Sequence, residues 1–180
     1  MKHEDIIFAG FGGQGVLFAG QLLSYAGMAE NLYVTWIPSY GPEMRGGTAN
    51  CTVILSEDEI GAPIVSYPSV AVIFNIPSME KYEPLVKPGG LLLVNTSLVT
   101  MSSTRTDIRI LSIPASDIAT ELGNPRIANM VMLGALVSAT GLVKLETVAQ
   151  QLDTHLSQRQ RKWLEPNITA LQKGAGIAKA

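Results

Sequence analysis

Apolar and polar positions change period several times along the chain, and the changes mark out its elements. "DIIFAG" (5–10) is an apolar run bounded by glycine, which predicts a buried strand. In "GVLFAGQLLSYAGMAE" the apolar positions Val16, Ala19, Leu22, Leu23 and Ala26 recur at three and four, the spacing of an amphipathic helix ending near Gly27 or Asn31. "LYVTWI" predicts a strand closed by Pro38, and "TANCTVILS" (48–56) another. "SVAVIFN" (69–75), "LLLVN" (91–95) and "IRILSIP" (108–114) are near-continuous apolar strands; between the first two, "SMEKYEPLV" predicts a short helix and "KPGG" a turn.

From Ala115 onward the pattern is helical: "ASDIATELG", "PRIANMVMLGALVSATG", "LETVAQQLDTHL" and "RKWLEPNITALQKGAGIAKA". Pro125 suits an early helical position and Gly141 a stop. Apolar strands alternating with helices predict an α/β fold: three α/β/α layers, a mostly parallel sheet, a Rossmann-like N-terminal βα unit and a helical C-terminal part. No repeat, low-complexity block or dividing linker interrupts residues 1–180, so a single domain is expected.

Composition narrows the function classes. The chain is 47% hydrophobic and 16% charged, which suits a sheet buried on both faces or a subunit covered by partners. A formal charge of −2 leaves no basic footprint for nucleic acid, and "SQRQRKW" (157–163) suits a solvated helix face. The one cysteine, Cys51, excludes an internal disulfide and an all-cysteine cluster within this chain; its strand context favours a buried thiol over a nucleophile. His3 and His155 stand far apart, without metal-ligand spacing. Glu4 and Asp5 interrupt any signal-like apolar start, and "IANMVMLGALVSATGLV" falls short of the roughly 20 residues that cross a bilayer. A cytoplasmic protein with no membrane partner is the expectation.

"GFGGQG" fits G-x-G-x-x-G with Gly10, Gly12 and Gly15, between an expected strand and an expected helix. In that setting the first glycine permits the turn, the second lets a ligand or backbone approach, and the third lets helix and strand pack closely. The unpaired N–H groups of the helix start favour phosphate. A dinucleotide site also wants a carboxylate about 20 residues on. Here the second strand ends with Thr35 and Trp36, and the first carboxylate beyond it is Glu43. Ordinary NAD or FAD binding is therefore disfavoured; a phosphate-bearing ligand, a partner backbone and a bare structural turn remain open.

"IPSYGPEMRGGTAN" (37–50) carries Pro38, Gly41, Pro42, Gly46 and Gly47, which forbid regular structure. Yet it also bears Tyr40, Met44 and Arg45, side chains suited to a contact surface. Ser39, Tyr40, Gly41, Pro42, Glu43, Met44, Gly46 and Gly47 are the interface candidates, the alternative being an ordinary surface crossover.

Taken together, "GFGGQGVLFAGQLL" and "PSYGPEMRGGTANCTV" closely resemble the gamma subunit of 2-oxoacid:ferredoxin (acceptor) oxidoreductases, the pyruvate, 2-oxoglutarate and ketoisovalerate family. The resemblance continues through "NIPSMEKYEPLVKPGGLLLVN" and "GNPRIANMVMLGALVSATG", and the length suits a free-standing gamma subunit. It implies membership of an assembly that converts a 2-oxoacid and coenzyme A to acyl-CoA and carbon dioxide, reducing ferredoxin. Thiamine diphosphate, Mg²⁺ and iron–sulfur clusters are implied on alpha and beta partners and, in many members, a delta subunit. This chain shows no thiamine diphosphate signature, so no catalytic residue is assigned and the isolated chain is expected to be inactive. The resemblance further implies coenzyme A contact at Gly10, Gly12, Gly13, Gln14 and Gly15, and more weakly at Arg45.

Two other readings stay open: a purely structural interaction module, and a free-standing nucleotide-dependent enzyme, for which no nucleophile–base pair is visible. Overall similarity favours 2-oxoglutarate over pyruvate. Asn75 and Asn95 each end an expected strand, where ligand groups or turn caps both occur. Surface meant for partners is expected to let the isolated chain self-associate as a dimer.

Overall fold

The computed structural model describes residues 2–39 and 48–179. Candidates Tyr40, Gly41, Pro42, Glu43, Met44, Arg45, Gly46 and Gly47 lie outside the described residues; Ser39, the remaining interface candidate, is exposed at the end of the second strand.

In chain order the elements are β1 (His3–Phe11), α1 (Val16–Ala29), β2 (Tyr33–Ser39), β3 (Thr48–Ser56), β4 (Val70–Ile73), α2 (Ile76–Tyr82), β5 (Leu91–Asn95), β6 (Arg109–Ile113), α3 (Ala115–Glu121), α4 (Ala128–Thr140), α5 (Leu145–His155) and α6 (Leu164–Lys179). Short 3-10 turns at Glu83–Leu85, Pro125–Ile127 and Gln158–Trp163 follow α2, precede α4 and precede α6. The six strands form one sheet in the order β2-β3-β1-β4-β5-β6. β1, β4, β5 and β6 pair in parallel, whereas β3 is antiparallel to both β1 and β2. The α/β class and the mostly parallel sheet stand, with one reversed strand.

That reversed strand changes the Rossmann-like unit. In the register Phe8↔Cys51 and Pro38↔Cys51, β3 fills the place beside β1 that β2 would take in a dinucleotide fold. The end of β2 is therefore two strand spacings, roughly 10 Å, from β1. The missing ribose carboxylate thus has a topological counterpart. β2 also runs through Pro38, where a closed strand is the sequence expectation: it is the sheet edge, where a residue without N–H is tolerated.

The layers are unequal. One face of the sheet carries a large core in which Ile6, Phe8, Cys51, Val53, Val72 and Leu93 meet α1, α3, α4, α5 and α6. The other carries a smaller core in which Ile7, Ala9, Ile73, Leu92 and Val94 meet Met79 and Tyr82 of α2. α4 is buried along ten consecutive residues, Ala128 to Val137, which explains its uniformly apolar sequence. Among the described residues no helix is long and apolar enough to cross a membrane.

Close packing of α1 on the sheet needs glycines that lie outside the loop motif. A Cβ on Gly20 would sit 2.5 Å from Cys51 Sγ, and one on Gly27 would sit 2.5 Å from Leu55 Cδ2. Helix–strand approach is thus set by Gly20 and Gly27, and the expectation that Gly15 serves it is corrected below.

Candidate functional site

The chain leaves β1 towards β2 and leaves β4 towards β5, on opposite sides, with α1 and α2 on opposite faces. Between the C-terminal ends of β1 and β4 lies the topological switch point, where open α/β sheets leave a crevice. Two adjoining cavities occupy it, of about 330 and about 310 Å³, sharing Gln14, Phe74 and Leu98 on their walls.

Each glycine of the loop has its own local task. Gly10 is still in β1; a Cβ there would meet Gln14 Oε1 at 2.5 Å and Phe74 Cβ at 2.8 Å. Its bareness admits the Gln14 side chain. The turn itself is made by Gly13 and Gly15, with φ of 93° and 75°, a backbone region that favours glycine. Gly15 is the N-cap of α1 and lies against Asn129 of α4, whose Nδ2 donates to the Gly15 carbonyl at 3.2 Å. Gly12 is exposed at the loop tip, and a Cβ on Gly13 would have nothing within 4 Å among the described residues.

Gln14 is engaged at both ends of its amide. Oε1 accepts from the Phe11 N–H at 2.6 Å, and Nε2 donates to the Phe74 carbonyl at 3.3 Å. It ties the end of β1 to the end of β4 and so holds the loop over the crevice. Its place is a positioning one, where the motif suggests a ligand contact.

Arg126 stands across the loop, on the 3-10 turn Pro125–Ile127. With Gly13, Ser116 and Ala128 it lines the smaller cavity, and it is the one charged side chain on the described walls of either cavity. Its guanidinium is exposed and makes no hydrogen bond or ion pair among the described residues; its backbone N–H donates to Asn124 Oδ1. Since α1 has no side-chain cap and no acidic residue in its first turn, no carboxylate from α1 competes there. The arrangement suits an anion. The sequence candidate for a cation, Arg45, lies outside the described residues, and "NPRIAN" carries no local mark that would single out Arg126.

The two strand-end asparagines differ. Asn95 is spent on structure: Oδ1 accepts from the N–H groups of Ala115 and Ser116, and Nδ2 donates to Ser116 Oγ at 2.9 Å. Asn75 caps α2 through Oδ1, which accepts from the Ser78 N–H at 2.8 Å, while its buried Nδ2 has no partner among the described residues. Among the described residues, no group of three or more His, Cys, Asp or Glu is placed to hold a metal ion.

The Pyruvate ferredoxin/flavodoxin oxidoreductase family matches residues 5–177. This chain belongs to that family. It is 38% identical over 180 residues to the ketoisovalerate oxidoreductase subunit VorA of Methanothermobacter marburgensis, covering 99% of this chain and 37% of that one. The chain therefore spans little more than a third of that relative's length. It superposes with TM-score 0.84 and 28% identity on the gamma subunit of the keto/oxoacid ferredoxin oxidoreductase from Geobacter sulfurreducens PCA, covering 97% of this chain and 98% of that one. The 2-oxoglutarate:ferredoxin oxidoreductase from Magnetococcus marinus, with 2-oxoglutarate, coenzyme A and succinyl-CoA bound, gives TM-score 0.91 at 25% identity, over 99% of this chain and 31% of that one. The resemblance to the gamma subunit family stands, and so does the α/β fold expected from the alternation of apolar strands and helices.

Proposed function

We propose that this chain is the gamma subunit of a cytoplasmic, multi-subunit 2-oxoacid:ferredoxin oxidoreductase. In this reading it helps assemble the complex and contacts coenzyme A, while chemistry resides on alpha and beta partners carrying thiamine diphosphate, Mg²⁺ and iron–sulfur clusters. 2-Oxoglutarate is the favoured substrate, in keeping with the Magnetococcus marinus relative. Residues 1–180 act as one domain, inactive in isolation.

The observation that carries the coenzyme A contact is Arg126, whose side chain has no partner among the described residues, lining with Gly13 a cavity of about 310 Å³ at the switch point. A phosphate between them would find a cation and a backbone free of side chains. Coenzyme A supplies such phosphates and a thiol that takes up the acyl group; this chain's part is to bind and orient it. Gly10 and Gln14 shape the loop, Gly15 admits Asn129, and Gly12 and Gly13 leave the loop bare.

A purely structural role is favoured by a different observation, the exposed apolar side chains Phe11 and Leu98 at the rim. The readings separate in the complex copurified with its alpha and beta partners through one tagged subunit. Gly13→Trp, which fills the open side of the turn, should weaken coenzyme A binding by about tenfold or more while the partners are retained. Unchanged affinity in an intact complex leaves the structural reading. Loss of partners from the wild-type chain at physiological salt removes the assembly role.

A further inference from the structure

We infer that β6 is a docking edge for a second copy of this chain, the two β6 strands pairing antiparallel about a dyad at Leu111. The inference goes beyond the coenzyme A reading and does not rest on it.

The sheet's two edges differ. β2 carries Pro38, a residue that blunts an edge. β6, "RILSI", has no proline, and its one charge, Arg109, lies at its start with Nη1 donating to the Ala139 carbonyl at 3.5 Å. Arg109 and Ser112 are exposed, and Ile110 and Leu111 are half-buried. A cavity of about 530 Å³ bordered by Ile110, Ser112, Thr100 and Met101 leaves one flank of the strand unfilled.

Hydrogen bonding decides which main-chain groups of β6 point outward. The Arg109 N–H donates to the Gly90 carbonyl at 2.8 Å, and the Ile113 carbonyl accepts from the Thr96 N–H at 2.9 Å. Arg109, Leu111 and Ile113 therefore face β5, whereas Ile110 and Ser112 turn their N–H and C=O groups away from the sheet. None of those four groups has a partner among the described residues. Pro114 ends the open stretch: it has no N–H, and its carbonyl accepts from the Ile118 N–H at 3.1 Å. Such a row of unpaired groups is a template for another strand.

The edge matches itself, as a two-fold contact requires. A dyad at Leu111 sets Ile110 of one copy opposite Ser112 of the other, and antiparallel residues so placed exchange both main-chain bonds. All the outward groups of β6 are then paired; a dyad at Ile110 or at Ser112 would pair only one of the two residues within the strand. Leu111 meets its own copy at a non-hydrogen-bonded position, where side chains come closest. Arg109 falls opposite Ile113, so the two guanidiniums do not oppose each other.

The test uses the full chain, alone and copurified with its alpha and beta partners. Sedimentation equilibrium of the chain alone should give twice the chain mass. Ser112→Pro removes an outward N–H that the β5 ladder does not use, and Leu111→Lys opposes like charges at the dyad. Each should weaken dimerisation by about tenfold or more, with the circular dichroism of the fold unchanged. Leu111→Cys should form a disulfide-linked dimer on mild oxidation, since opposed Cα atoms there lie about 4.5 Å apart. Arg109→Cys, about 13 Å from its copy along the strand, should not, and the buried Cys51 should stay reduced in both. A wild-type chain that is monomeric alone and gives no Leu111→Cys dimer in the assembly overturns the inference. So does a dimer that Ser112→Pro and Leu111→Lys leave intact. A Leu111→Cys cross-link to a partner subunit overturns it as well and gives the edge to that partner. Coenzyme A affinity should match wild type in every variant, so the coenzyme A reading survives each of these failures.

Discussion

Asn129, in the first turn of α4, donates its Nδ2 to the carbonyl of Gly15, 114 residues earlier, at 3.2 Å. The same side chain accepts the Met130 N–H at 3.0 Å. The glycine loop is thereby fixed to the most deeply buried helix of the fold, and its shape is a tertiary property.

The two positive-φ glycines should consequently respond differently. Gly13→Ala meets no neighbour among the described residues and there carries only the strain of its backbone, about 1–2 kcal/mol. Gly15→Ala would also bring a Cβ to 2.9 Å from Asn129 Cγ, so Asn129 must yield its bonds. We expect about 1 kcal/mol more loss at Gly15 than at Gly13, measured by urea unfolding. With Asn129→Ala as background, that excess should vanish.

A second constraint lies behind the site, where α4 crosses α6. A Cβ on Gly134 would strike the Leu171 carbonyl, and one on Gly174 would strike the Val131 carbonyl. Each helix thus offers a glycine to the other's backbone. Alanine at either position should cost about 3 kcal/mol or more, because carbonyls cannot swing aside as side chains do. The double variant should cost less than the sum, since one widening of the crossing relieves both clashes. Thermal unfolding of the single and double variants checks this.

Burial pushes the Cys51 thiol up to about 12, with a smaller opposing effect from Trp36. The folded state therefore holds this proton at pH values where the unfolded chain, with a thiol near 8.5, releases it. Its contribution to stability is complete below about pH 8 and declines as pH rises towards 12. The urea midpoint should fall between pH 8 and pH 10.5 by more in the wild type than in Cys51→Ala. Thiol reagents should modify Cys51 only on unfolding.

Arg105 fastens the segment that carries Leu98. It pairs with Asp107 at 2.6 Å and donates to the carbonyls of Glu83 and Val86, each at 2.8 Å. The bond from Arg105 holds the Asp107 carboxyl below its usual range. Its contribution is present above the unfolded carboxyl value and is lost as pH falls through the lowered one. Arg105→Ala should speed hydrogen exchange across residues 96–105 and blunt that acid dependence.

Much of the fold was legible because the sheet's period is written locally. β3 and β5 begin and end where the apolar runs "TANCTVILS" and "LLLVN" do. Strand order was not legible, since nothing in "TANCTVILS" says that it enters antiparallel between β1 and β2. The site was legible only in part. The G-x-G-x-x-G spacing marked Gly10, Gly12 and Gly15, but their tasks depend on Gln14, Phe74 and Asn129, which the fold delivers. Arg126 reaches the loop only because α3 returns the chain to the strand ends, and Asn75's spare N–H is visible only once the Ser78 cap is in place. The Arg45 expectation falls outside the described residues; among those described, Arg126 is the charged side chain on the cavity walls.

The central claim, that the turn between β1 and α1 receives coenzyme A within the complex, is tested most directly by hydrogen exchange at single-amide resolution. Adding coenzyme A to the assembled alpha–beta–gamma complex should slow exchange at the amides of Gly12, Gly13 and Gly15, with lesser change at the outer strand β2. Saturating coenzyme A with no slowing at those amides would contradict the account.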